Sequence, residues 1–280
     1  MTLRPGNRPV RAGWLSLTLA AVLLAGGCKD APTSAQTAAD AAPVAADTPA
    51  LADVPEGRPR LGLMTSLPIY WPLGAGVAEI ASGMAEAPWQ RVLLEGSYLL
   101  QPLDSLAAIP GLSPQDPETD PLAGLDRIAI IQPRGLSPAD NVALDDWVRG
   151  GGRLLLALDP MLTGEYDLAL GDPRRPVDAA QIPPVVARWG MMVRYDDAQP
   201  GDVQTRTLGD AMLPTELAGE IVVTDAKAAQ CTLLADGAAA RCRVGKGSVT
   251  LIADAAVFEH EAFSQGETRT LTRVIEAALP

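Results

Sequence analysis

One histidine, two phenylalanines and three cysteines in 280 residues leave this chain short of the side chains that nucleophilic enzymes use most. The histidine, His260, stands in Phe258-Glu259-His260-Glu261, and no serine occupies a G-x-S-x-G elbow. Cys231 and Cys242 lie at no strand-to-helix turn, so a cysteine nucleophile is not expected, and His260 without a nucleophile reads as a surface residue. The same two cysteines lack third and fourth ligands nearby, which argues against a metal or redox pair. Gly245-Lys246-Gly247-Ser248 falls short of the full G-x-x-x-x-G-K-S spacing of a phosphate loop and reads as a turn. No cofactor and no metal is therefore expected. Lys and Arg number 22 against 34 acids and form no block, and a net charge of −12 repels polyanions, which excludes nucleic acid as a partner. With aromatic residues at 4%, the core must be built from Leu, Val, Ile and Ala. The apolar run 14–25 is shorter than the roughly 20 residues of a membrane-spanning helix.

What that run does offer is a secretory signal: Arg4, Arg8 and Arg11 precede it with no acid among them, and the small residues Gly26-Gly27 close it before Cys28. Leu24-Ala25-Gly26-Gly27-Cys28 resembles the lipobox of bacterial lipoproteins, with the leucine one place further out than usual. That resemblance implies a signal peptide over 1–27, cleavage before Cys28, and a lipid anchor at Cys28 on the periplasmic side of the cell envelope. Each buried methylene of an acyl chain contributes about 0.8 kcal/mol, so several chains make the membrane a lasting partner. Removing 1–27 takes away three arginines and no acid, and the charge moves from −12 to −15. Residues 28–57 are rich in Ala, Pro, Thr and Asp, carry no aromatic residue, and are broken by Pro32, Pro43, Pro49 and Pro55. Such a stretch buries too little to order itself and is expected to be a disordered tether.

Residues 58–280 read as a single α/β domain. Short apolar runs predict strands at 60–66, 98–103, 127–131 and 153–158, with helices over 76–86 and 89–95 between the first two. Ser137 and Pro138 supply an N-cap and a first-turn proline for a helix ended by Gly150-Gly151-Gly152, which makes 127–158 a strand-helix-strand unit of a parallel sheet. A helix at 182–189, strands at 191–195, 220–224, 230–235, 238–244 and 248–253, and a closing helix at 267–279 complete the reading. The expected fold is a mainly parallel sheet flanked by helices, with a β-hairpin insertion before the last strand. In that hairpin Asp236-Gly237 favours a two-residue turn, and counting five residues outward on each side sets Cys231 opposite Cys242. Opposed residues lie within reach of a disulfide, and export makes the bond expected.

The segment I-I-Q-P-R-G-L-S-P-A-D-N-V-A-L-D-D-W-V-R-G-G-G-R-L-L-L-A-L-D-P, residues 130–160, resembles the signature of the GldG-like auxiliary components of uncharacterised ABC-type transport systems. Arg188-Trp189-Gly190 resembles the end of that family's next helix, and 247–254 resembles the closing strand of the class I glutamine amidotransferase-like fold, a relative of the flavodoxin-like arrangement. The resemblance implies a noncatalytic auxiliary, a binding or scaffold component working beside an ABC transporter permease or another envelope protein. A lipid anchor stands where family members usually carry a transmembrane helix.

Open parallel sheets bind ligands beyond the carboxyl ends of their strands. That edge is expected to present Thr65, Ser66, Asp104, Gln132, Asp159 and Asp254, with Tyr70 and Trp71 in the first loop. Carboxylates, an amide and flat aromatic faces suit a small carbohydrate. The same residues also fit plain structural work, since Asp159 before Pro160 and Gln132 before Pro133 are natural turn formers. A second functional reading is a glycan-acting or other hydrolase with Asp104, Asp159 or Asp254 as acid or base. Asp145-Asp146, adjacent on a helix, point apart and cannot share a substrate.

Overall fold

The structure is a computed structural model that describes residues 57–113, 115–263 and 269–280. The expected signal peptide, Cys28, the tether up to residue 56, and the first two residues of the expected closing helix lie outside the described residues. Among the described residues no helix is long and apolar enough to cross a membrane.

The chain runs β1 (Arg60–Thr65), α1 (Val77–Ala81), α2 (Trp89–Ser97), β2 (Leu99–Pro102), β3 (Arg127–Ile131), α3 (Pro138–Gly150), β4 (Arg153–Ala157), α4 (Pro184–Arg188), β5 (Met191–Arg194), β6 (Gln204–Leu208), β7 (Ala211–Thr215), β8 (Glu220–Val223), β9 (Gln230–Leu234), β10 (Ala239–Val244), β11 (Gly247–Ile252), α5 (Ala256–Glu259) and α6 (Thr270–Ala278). A seven-stranded sheet has the order β2-β1-β3-β4-β11-β10-β9. Its first five strands are parallel; β10 and β9 continue it antiparallel. Two further pairs, β5-β8 and β6-β7, are antiparallel.

Period-two alternation of aliphatic residues buries both sheet faces. Ile128, Ile130, Leu154, Leu156, Val249 and Leu251 pack on one side with Leu144 and Val148 of α3 and Val185 and Val186 of α4. Ala129, Ile131, Leu155, Ala157 and Ile252 face the other side with Leu94 of α2 and Leu271, Val274 and Ile275 of α6. This is a mixed α/β architecture with helices on both faces of a mainly parallel sheet.

The unit legible in the sequence forms as its local chemistry dictates. Ser137 caps α3 reciprocally with Asp140, Pro138 occupies the first turn, and Gly151 leaves the helix at φ +128. Asp140 also accepts from the N–H groups of Leu106 (2.8 Å) and Ala107 (3.0 Å), pinning the loop after β2 to the helix start. On the buried face of α3, Asp145 accepts from Trp189 Nε1 at 2.8 Å and pairs with Arg149 and Arg188 at 2.9 and 2.7 Å, while Asp146 faces solvent. The two adjacent acids do point apart, and Asp145 ties α3 to α4.

Cys231 and Cys242 are opposite in register and bonded to each other, with Cα atoms 4.0 Å apart. The turn differs from expectation. Leu234 pairs with Ala239, so the loop has four residues, and Ala235, Asp236 and Gly237 all take positive φ. Widening by one residue on each side leaves the register unchanged. Gly245 and Gly247 form a tight turn between β10 and β11, where a Cβ on Gly247 would meet the carbonyls of Val148 and Gly152. The β6-β7 hairpin was not anticipated, and the expected helices at 76–86 and 182–189 are single turns, Val77–Ala81 and Pro184–Arg188. Glycine and serine at 82–83 stop the first; prolines 183 and 184 delay the start of the second.

Candidate functional site

The strand order reverses between β1 and β3, where a doubly wound sheet opens a crevice. Here that crevice is filled. Ser66 donates through both its N–H and its hydroxyl to the carbonyl of Gln132, at 3.1 and 2.6 Å, and its oxygen accepts from Val177 N–H at 3.2 Å. Gln132, fully buried with φ +45, uses its amide as a second backbone: Nε2 donates to the carbonyls of Asp159 and Val177, and Oε1 accepts from Asp159 N–H at 2.9 Å. Thr65 Oγ1 accepts from Leu67 N–H at 2.9 Å. These three expected ligand residues hold loops together.

Asp104 is exposed on the outermost parallel strand's exit and joins no cluster. Tyr70 and Trp71 meet edge to face at 4.9 Å with the Arg91 guanidinium over both rings, and Trp71 remains 44% exposed. Close by in sequence, a groove of about 590 Å³ is lined by Pro72, Glu86, Trp89, Val92, Leu93 and Glu261.

Chemistry concentrates one step further along the sheet, beyond the adjacent central strands β4 and β11. Asp159 and Asp254 are both buried there. Asp159 accepts from Met161 N–H and Ala255 N–H, each at 2.8 Å; Asp254 accepts from Glu216 N–H and Ala256 N–H, each at 2.8 Å. Burial is the main force raising the Asp159 carboxyl, and the charges of Glu259 and Glu216 add to it, pushing it up to about 7 against the hydrogen bonds it accepts. Burial and then the charge of Asp159 raise Asp254 well above the usual carboxylate range.

Around this pair stand half-exposed groups that the expected ligand set did not include. Glu259 accepts from Tyr166 OH at 2.5 Å, Gly164 N–H at 3.1 Å and Thr163 N–H at 3.2 Å. Burial, then the Glu259 carboxylate, raises the Tyr166 phenol, so it stays protonated as the donor. His260 Nε2 lies 2.9 Å from Thr163 Oγ1 and 3.6 Å from Glu216 Oε2, with 29% and 24% of the His260 and Glu216 side chains exposed. His260 is thus not a plain surface residue. Its sequence neighbour Glu259 was the available signal; Glu216 and Tyr166 come from distant loops and carried none. Among the described residues no three His, Cys, Asp or Glu side chains are grouped to hold a metal ion.

No family model and no curated protein matches the chain. Solved structures similar to it include the exo-β-1,4-mannosidase Op5Man5 from Opitutaceae bacterium strain TAV5, 15% identical with a TM-score of 0.45, covering 80% of this chain and 36% of that one. A cold-adapted β-galactosidase from Rahnella sp. R3 is 12% identical with a TM-score of 0.43, over 79% of this chain and 30% of the enzyme. The β-galactosidase of Bacillus circulans sp. alkalophilus is 12% identical with a TM-score of 0.43, over 78% and 30%. This chain therefore spans about a third of the length of these enzymes. The solved structures found are glycoside hydrolases, and the expectation of a noncatalytic auxiliary or scaffold of an ABC-type transport system is corrected accordingly.

Proposed function

We propose that the chain acts on a carbohydrate, hydrolysing a glycosidic bond with the carboxylates of Glu259 in α5 and Glu216 after β7, gathered beyond the ends of β4 and β11. The observation that carries this reading is that half-exposed Glu216 and Glu259 both stand near enough to buried Asp159 for their charges to raise its carboxyl, with Asp254 buried beside it. Glycoside hydrolysis needs one group that protonates the leaving oxygen and one carboxylate that acts as nucleophile or activates water. Glu259, fixed by three donors, takes the carboxylate role, and Glu216 with His260 delivers the proton. Asp159 and Asp254 are positioning residues: their oxygens hold the backbone at 161, 216, 255 and 256, and their raised proton affinity keeps the negative charge under the site low. Trp71 and the groove bearing Trp89, Glu86 and Glu261 offer apolar ring faces and hydrogen-bonding carboxylates of the kind sugars fit.

The class I glutamine amidotransferase-like arrangement is part of the same proposal, supported by the order β2-β1-β3-β4-β11 of the parallel strands. The GldG-like resemblance of 130–160 is kept as a kinship of fold without a transport role. The proposed location is the envelope, lipid-anchored at Cys28 with residues 28–57 as tether. The test is hydrolysis of a panel of α- and β-linked aryl glycosides and oligosaccharides by the full chain, with Glu259→Gln and Glu216→Gln alongside. Loss of about a hundredfold or more in kcat for each variant is expected. Turnover of no panel member, or turnover indifferent to both substitutions, contradicts the proposal.

A further inference from the structure

At the opposite edge of the sheet, away from the acid cluster, sheet register lines up a polar row. Gln230, Arg243, Ser248, Arg153 and Arg127 are successive partners across β9, β10, β11, β4 and β3. Arg243 and Arg153 therefore flank Ser248 from two strands apart, a span of roughly 10 Å. The next row adds Arg241, opposite Thr232 and Thr250, and the β10-β11 turn adds Lys246. Together Arg153, Arg241, Arg243 and Lys246 line one groove of about 690 Å³, with Thr232 and Ser248 in its wall.

Four cations in one groove are unexpected on a chain of net charge −12. Two of them are already engaged. Arg153 donates to the main-chain oxygen of Pro280 at 2.9 Å and pairs with Asp126, which also pairs with Arg127; Arg241 donates to the carbonyl of Ala277 and to Thr250 Oγ1. Among the described residues, the exposed side chains of Arg243 and Lys246 have no hydrogen-bond or ion-pair partner. Among the described residues no acidic side chain lines the groove; Asp126 is shared between two arginines, and Asp210 and Glu276 line the adjoining groove with Arg241 and Arg273. The groove thus keeps an excess of positive charge. Engaged arginines give it a fixed wall, and free cations with neighbouring hydroxyls give it donors.

We infer that this groove binds a phosphate-bearing anion, held between Arg243 and Lys246 with Ser248 and Arg153 at its base. Arginine suits bidentate capture of phosphate oxygens, lysine serves as a point charge, and a serine hydroxyl supplies a neutral donor. The same chemistry is presented by a free phosphate or pyrophosphate and by a phospholipid headgroup. The site is independent of the proposed hydrolase centre, so the two stand or fall separately.

The experiment uses the full chain carrying Cys28→Ser, titrated calorimetrically with inorganic pyrophosphate at low salt and sedimented with vesicles of phosphatidylcholine with and without phosphatidylglycerol. Saturable pyrophosphate binding, weakened about tenfold or more by Arg243→Gln with Lys246→Gln, supports the inference, since the double variant removes two charge-assisted donors. Arg243→Lys, which keeps the charge but gives up the bidentate fork, should weaken binding less than the double variant does, and Arg174→Gln, on an exposed arginine outside the groove, should change nothing. Binding only to phosphatidylglycerol vesicles, lost in the double variant, supports it with a lipid headgroup as the source. No binding to either probe, or binding that the double variant leaves intact in a folded protein, overturns it.

Discussion

Asp159 Oδ2 accepts the backbone N–H of Ala255, the residue after Asp254, at 2.8 Å, so the exits of β4 and β11 are joined through a carboxyl group buried beside a second carboxyl group. The geometry makes the protonation of this pair a property of the fold. Because Asp159 is raised by burial to about 7, the folded state holds a proton that the unfolded state releases near 4. The native state is then favoured at low pH, and that contribution fades as pH rises from about 4 through about 7. Asp159→Asn is expected to flatten the loss of stability between pH 5 and pH 8, measured by urea unfolding at both. A variant that loses as much stability as the unmodified chain across that interval contradicts the assignment.

Asp140 predicts the opposite slope. Burial alone would raise its carboxyl, but donors from Ser137, Leu106 and Ala107 outweigh it and hold Asp140 at about 2. Its contribution is present above the unfolded value near 4 and is lost as pH falls through about 2. Asp140→Ala should cost about 1–2 kcal/mol at neutral pH and leave a shallower acid transition, read by circular dichroism from pH 6 to pH 2.

The disulfide closes a loop of sequence separation 11 and cross-links two antiparallel strands of the sheet. Unreduced peptide mapping should recover Cys231 and Cys242 linked. Replacing both by serine should lower stability by about 3 kcal/mol on the chain-entropy account, measured by urea unfolding under oxidising conditions.

Cys28→Ser should convert a membrane-bound protein into a soluble exported one, followed by fractionation of cells after a salt wash. Continued sedimentation of the variant with membranes would show that the lipobox resemblance misleads.

The central strands were legible because 128–131 and 154–157 are unbroken aliphatic runs around a helix whose cap, proline and glycine all agree. The hairpin register was legible for a simpler reason: widening a turn symmetrically does not move Cys231 from Cys242. The β6-β7 hairpin was not, since Gln204–Leu208 is polar and mostly exposed and β7 contains Pro214, which argues against a strand. At the strand ends, period and turn chemistry correctly placed Ser66, Gln132, Asp159 and Asp254 at one edge. They did not reveal which are consumed by loop packing, because Gln132 and Ser66 are claimed by Val177, in a loop with no pattern of its own. Glu259 follows Asp254 by five residues through α5, whereas Glu216 meets the buried acids only through tertiary folding, and no spacing in the sequence links it to them.

Hydrolysis of an aryl glycoside by the full chain and by Glu259→Gln, followed from pH 4 to pH 9, tests the central claim most directly. The account predicts measurable turnover that declines as pH rises through about 7, where Asp159 ionises and negative charge gathers under the site. It also predicts that Glu259→Gln loses about a hundredfold or more in kcat while remaining folded. Equal turnover by the variant and the unmodified chain at every pH, or none by the unmodified chain, would contradict it.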